Sequence, residues 1–184
     1  AAMIRLRKDF PDAAEAVQAS VFLELLDLDP SSREGSAMVE GILKESPHEV
    51  PALMAKARSS EAGDRKGEAE GLYREVLRLY PDFAPAAKRL AILCVDDPAK
   101  VGEAASFAAK AREVLTDDSE LSAALARIKF LQGDFGLASQ LLQDAEAHRN
   151  LEAVELYMLG ISLAELKRAP EAKQALERAL EARL

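Results

Sequence analysis

Leu156-Tyr157-Met158-Leu159-Gly160-Ile161-Ser162-Leu163, followed by Ala172, Leu176 and Ala179, is the stretch from which the rest of the chain can be read. Its leucines recur at helical spacing, and the alanines that follow repeat that spacing on a second helical run. The same signature returns upstream at a period of about 34 residues. One copy runs Leu125-Ala126, Phe130, Gln132-Gly133-Asp134-Phe135, then Ala138, Leu142 and Ala145. Another runs Leu53, Ala57, Ala69, Tyr73, Val76 and Pro81. Repeats of this length are stacked helical hairpins, each too thin to bury its own apolar face.

These residues resemble the tetratricopeptide repeat, a pattern with small residues at the helix crossings and a proline after the second helix. The resemblance covers nearly the whole chain. It implies an all-α, right-handed α-solenoid of antiparallel helix pairs (a TPR superhelix) that acts as a protein-interaction scaffold. One repeat domain is expected over 1–184, with repeats at about 16–49, 50–83, 84–118, 119–152 and 153–184. Hairpin turns are expected at Asp29-Pro30-Ser31-Ser32, Gly63-Asp64, Asp96-Asp97-Pro98 and Gly133-Asp134. Ser31-Ser32-Arg33-Glu34 reads as a capping box, with Ser31 as N-cap and Glu34 reaching back. Pro47 and Pro81 stand where second helices should end.

Departures from the pattern are specific. Lys56 and Ser60 occupy first-helix positions that the family usually fills with a large apolar or aromatic residue. The third repeat has one extra residue between Leu93 and Ala104, and Asn150 replaces the closing proline of the fourth. Residues 1–15 read as a partial repeat helix and linker, because Arg5-Leu6-Arg7-Lys8-Asp9-Phe10-Pro11-Asp12 resembles Leu77-Arg78-Leu79-Tyr80-Pro81-Asp82. The expectation is a truncated N-terminus and a piece of a larger bacterial tetratricopeptide protein.

Composition narrows the function classes. The 32 acidic residues outnumber 24 dispersed basic ones, for a formal charge of −8, which argues against phosphate-backbone binding and so against a nucleic-acid partner. No run approaches the roughly 18 apolar residues of a membrane span. Cys94 is the only cysteine and falls at a position the family buries, so it reads as a small hydrophobe. His48 and His148 fall in different repeats, too far apart in a stacked array to form a metal or proton-transfer pair. Gly63, Gly67 and Gly71 lack the Gly-Lys-Ser/Thr ending of a phosphate loop. No catalytic, cofactor or metal site is expected, and the chain does not read as an enzyme.

In tetratricopeptide arrays the first helix of each repeat lines a concave groove that takes an extended peptide or a partner's helix. Carrying those positions over gives Ser20, Glu24 and Asp27, then Met54, Arg58 and Glu61, then Lys88, Ile92 and Val95. The fourth and fifth repeats supply Ala123, Arg127 and Phe130, and Tyr157, Ile161 and Ala164. The expected binding surface is Arg58, Lys88, Ile92, Arg127, Phe130, Tyr157 and Ile161, with three cations for an acidic group and two aromatic anchors. The chaperone-binding clamp of the family is not supported, because Lys88 matches one clamp lysine but Asn150 is the only asparagine. Partners are therefore a protein or peptide of unknown identity. Alternatives are self-association through uncapped ends, Leu180 and Leu184 against Ile4 and Leu6 of another copy, or the substrate-recruiting arm of a larger enzyme or assembly machine. Cytoplasm and periplasm both remain open.

Overall fold

The computed structural model describes residues 32–182, and those residues are all helix and short connections. The expectations placed on residues 1–31 and on Leu184 lie outside the described residues. Two compact units divide the chain at Pro81 and Asp82.

In the first unit, α1 (Arg33–Glu45), α2 (Val50–Ala62) and α3 (Lys66–Leu79) follow one another. The hydroxyl that caps α1 belongs to Ser32, whose Oγ accepts from the Gly35 amide at 3.0 Å. This corrects the expected cap at Ser31. Glu34 consequently sits at the second helical position and Gly35 at the third, so no reciprocal box forms there. Helix α2 packs on α3 through Ala57, Ala69, Tyr73 and Val76, all of them fully buried. Tyr73 keeps its hydroxyl satisfied by donating to Glu61 Oε2 at 3.1 Å. Against α1, the core is Val39, Ala52 and Ala55, with Ile42 and Leu43 packed beside them.

The second unit holds α4 (Ala84–Cys94), α5 (Val101–Arg112), α6 (Ser119–Leu131), α7 (Phe135–Glu146), α8 (Ala153–Glu165) and α9 (Ala169–Glu181). They pack as consecutive antiparallel pairs, α4 with α5, α6 with α7 and α8 with α9. Each of Leu156, Leu159 and Leu163 is at most 4% exposed, and their burial stabilises by about 1.5–3 kcal/mol each. Small residues set the close crossings. A Cβ on Gly160 would lie 2.6 Å from Leu176 Cγ, so α8 and α9 touch at a distance only glycine permits.

Three of the hairpin turns share one geometry. Asp64, Gly133 and Lys167 each stand two residues beyond the end of a first helix, with φ of 57°, 78° and 62°. This left-handed conformation lets three residues reverse the chain; it is free for Gly133 and costs about 1–2 kcal/mol at the other two. The pair α4–α5 solves the reversal differently. A single 3₁₀ turn, Pro98–Lys100, takes up the extra length, and Asp97 caps it by accepting from the Ala99 amide at 2.9 Å.

Candidate functional site

The second unit carries an open groove of about 560 Å³ walled by α4, α6 and α8. Helix α6 contributes Ser119, Glu120, Ala123, Ala124 and Arg127, a stripe at i, i+1, i+4, i+5 and i+8 that lies along one face. Opposite it stand Ile92, Val95 and Asp96 at the end of α4, and Val154, Glu155 and Met158 at the start of α8. Ala123 and Ala124 with Ile92, Val95, Val154 and Met158 give the groove its apolar surface, and ion-paired side chains line the rest.

Those ion pairs decide what charge the groove shows. Arg127 Nη1 lies 2.7 Å from Asp96 Oδ1. Arg149 forks the Glu155 carboxylate at 2.8 and 2.5 Å, a bidentate geometry that raises the already high proton affinity of the guanidinium. Glu155 also accepts from the Glu152 amide at 2.8 Å, closing a capping box at the start of α8 that sequence reading did not find. Beyond the rim, Lys88 Nζ reaches Asp118 Oδ2 at 2.8 Å and Glu120 Oε2 at 2.6 Å, while Arg89 Nη1 takes Glu120 Oε1 at 2.6 Å. Burial pushes the Lys88 ammonium down, but the hydrogen bonds to Asp118 and Glu120 outweigh it and leave the group raised. Both carboxyls are held below their usual range by the same contacts, against the opposing push of burial.

The residues expected from the sequence separate into groups. Ile92 and Arg127 line the groove, as do Val95 and Ala123. Lys88 stands one turn before Ile92 with its side chain 15% exposed, and two carboxylates consume its charge. Phe130 is half-buried at the end of α6, packed on the core and set edge-to-face against Phe135 with centroids 5.7 Å apart. Tyr157 is exposed and Ile161 half-buried on α8, one turn apart and outside the groove lining. Arg58 is exposed on α2 in the first unit.

Asp96, Glu120, Glu152, Glu155 and Arg149 were not anticipated as groove residues. Glu120, Glu152 and Glu155 sit in or cap first helical turns, where acidic residues are expected anyway, and Asp96 and Arg149 sit in connections, so nothing in their local sequence marks a rim. The remaining chemistry-bearing residues are placed quietly. Cys94 is 1% exposed. His48 Nδ1 lies 3.1 Å from Glu75, and His148 Nδ1 lies 3.0 Å from the Asp144 carbonyl oxygen.

The first unit has a smaller polar pocket of about 270 Å³ between its three helices. Ser60 lines it, 1% exposed, with a hydroxyl that lacks a hydrogen-bond partner of ordinary geometry, although it lies near enough to Glu68 to help lower that carboxyl's proton affinity after Arg65. None of the described helices is long and apolar enough to cross a membrane.

No protein-family model matches the chain, and no curated protein sequence matches it. Solved structures do. A structure of YrrB, described as a TPR protein with an unusual peptide-binding site, aligns over 100% of this chain and 93% of its own, at 15% identity and a TM-score of 0.69. MamA from Desulfovibrio magneticus RS-1 aligns over 90% of this chain and 93% of its own, at 12% identity and a TM-score of 0.68. PilW, a type IV pilus biogenesis factor, aligns over 90% of this chain and 77% of its own, at 18% identity and a TM-score of 0.65. The chain has the tetratricopeptide-repeat fold.

Proposed function

We propose that this chain is a protein-interaction scaffold, not an enzyme, and that an extended peptide or partner helix docks in the groove between α4, α6 and α8. The observation that carries this reading is the groove itself. It combines an open volume, an apolar floor and a rim of fixed ion pairs on three helices whose mutual positions are set by packing. A preformed groove leaves ordering of the partner as the main entropic cost of binding. YrrB's description as a TPR protein with a peptide-binding site points the same way. The repeats proposed are those at about 16–49, 50–83, 84–118, 119–152 and 153–184.

Within this reading Ile92 and Arg127 contact the partner directly. Tyr157 and Ile161 extend the surface along α8, and Arg58, exposed on α2, is proposed as a contact of the first unit by itself. Lys88, paired with Asp118 and Glu120, and Phe130, packed against Phe135, flank the groove. The test covers the floor with longer neutral side chains, Ala124→Gln with Val154→Gln, and compares peptide capture by the variant and the parent chain at equal melting temperature. Capture should fall with the variant; unchanged capture would move the interface elsewhere.

One observation favours a second reading. Leu180 on α9 is 70% exposed, an unusual position for a leucine on a helix that otherwise buries Ala172, Ala175 and Ala179. Self-association through that face predicts a mass that rises with concentration in light scattering, and a Leu180→Glu variant that stays monomeric. A concentration-independent monomer sinks it.

A further inference from the structure

We propose that the groove of the second unit recognises a segment that carries a lysine or arginine beside an aliphatic side chain. This rests on the groove reading above and adds the partner's chemistry. The sequence alone suggested the opposite, a partner offering an acidic group to Arg58, Lys88 and Arg127 beside an apolar or aromatic one.

The charge balance argues for a basic partner. Four carboxylates line the groove, Asp96, Glu120, Glu152 and Glu155, against two guanidiniums, Arg127 and Arg149. Each guanidinium is already paired within the chain, Arg127 with Asp96 and Arg149 with Glu155, and Glu152 and Glu120 also act on Arg149 through space. Adding the flanking Lys88, Arg89 and Asp118 makes the tally five carboxylates to four cations. A partner carboxylate would have to displace Asp96 or Glu155 from its guanidinium while facing Glu120 and Glu152. Juxtaposed like charges disfavour that arrangement.

Exposure points the same way in the cluster around Glu120, while Arg127 and Asp96 are equally exposed and Arg149 is more exposed than Glu155. In the cluster around Glu120 the carboxylate is the outward member, 51% exposed against 15% for Lys88 and 24% for Arg89. Glu152 is exposed and makes no salt bridge among the described residues. A ligand approaching from solvent therefore meets Glu120 and Glu152 before it meets the cations of α4. The arrangement suits the shape of a basic side chain. Its alkyl stem can lie along the apolar surface of Ile92, Ala123 and Met158 while its head reaches the rim carboxylates. An adjoining aliphatic side chain would use the rest of the floor near Val154.

The experiment is selection of a displayed random-peptide library on the immobilised chain, run in parallel on the Ala124→Gln/Val154→Gln variant. Both substitutions are neutral, so they obstruct the floor without changing the groove's charge, and melting curves check that the variant is folded. The expected result is a set of peptides lost on the variant and enriched in Lys or Arg next to Leu, Ile, Val or Met. A synthetic member of that set should bind about twofold to fivefold more weakly to Glu152→Gln, which keeps a capping oxygen but loses the charge. Its affinity should also fall as salt rises. Groove-dependent peptides that are acidic or uncharged overturn the partner chemistry and leave the groove reading standing. Peptides retained equally by both proteins, or no enriched peptides at all, overturn both.

Discussion

The Lys88 ammonium lies 2.8 Å from the Asp118 carboxylate across 30 residues of sequence, and the other oxygen of that carboxylate caps α6 by accepting from the Leu121 amide at 2.8 Å. One side chain thus ties α4 to the start of α6 while holding the first turn of α6 in place. The contact gives Lys88 a structural tie between two helices, with its side chain 15% exposed.

Replacing Lys88 with Met should lower stability by about 1–2 kcal/mol. This is less than the 3–5 kcal/mol of a fully buried pair, because Glu120 is half exposed. Asp118→Asn, which keeps a capping oxygen, should cost less than Asp118→Ala, which loses both the cap and the pair. Urea melts of the three variants check this. Unchanged stability in Lys88→Met would show that the contact contributes nothing.

The same cluster sets a pH dependence. Asp118 and Glu120 have folded proton affinities below their ordinary values of 3.8 and 4.5. Their contribution is therefore complete above those values and is lost as the pH falls through the folded ones. Lys88 is raised above 10.5, so its contribution is present below that pH and is lost as the pH climbs through the folded value. Melting temperature should plateau near neutrality and fall on both sides. Because other paired carboxylates also titrate in acid, the diagnostic quantity is the gap between the parent and Lys88→Met, which should shrink as the pH falls below the ordinary carboxylate values of 3.8 and 4.5 and as it climbs past the ordinary lysine value of 10.5.

Two glycines should respond oppositely to alanine. At Gly160 a Cβ would meet Leu176 Cγ at 2.6 Å and the Ala172 carbonyl oxygen at 3.3 Å, so Gly160→Ala forces α8 and α9 apart and should cost about 1–3 kcal/mol. Gly160→Leu should cost more. At Gly71, exposed within α3, a Cβ meets nothing within 4 Å. Gly71→Ala should stabilise by up to about 1 kcal/mol through helix propensity alone. Thermal melts of the pair decide whether close packing at Gly160 outweighs that propensity.

The two aromatic residues expected as anchors should part company. Phe130→Ala removes the edge contact with Phe135 and part of the core beneath it, and should lower stability by about 1–3 kcal/mol. Tyr157→Ala, at an exposed position, should change stability by less than about 0.5 kcal/mol. A Tyr157 variant that unfolds early would mean that its ring is structural too.

Helix type, pairing and crossing points were open to reading because they depend on local periodicity. The spacing of Leu156, Leu159 and Leu163 requires a buried helical face, and Gly160 beside them marks where a second helix comes close. Even the irregular turn after α4 announced itself through Asp97-Pro98 and an extra residue. The groove was legible only in part. A triplet carried over at i, i+4 and i+7 found Ala123 and Arg127 but continued to Phe130, whereas the face that opens on the groove runs through Ser119, Glu120 and Ala124.

Which cations are paired within the chain was decided by the tertiary structure alone. Lys88 reaches carboxylates 30 and 32 positions away, and Arg127 reaches one 31 positions back, only because stacking brings α4 and α6 side by side. Periodicity along a helix says which way a charged side chain points. It carries no information about the opposite charge that a neighbouring helix places in front of it, and that charge sets the sign of the surface a partner meets.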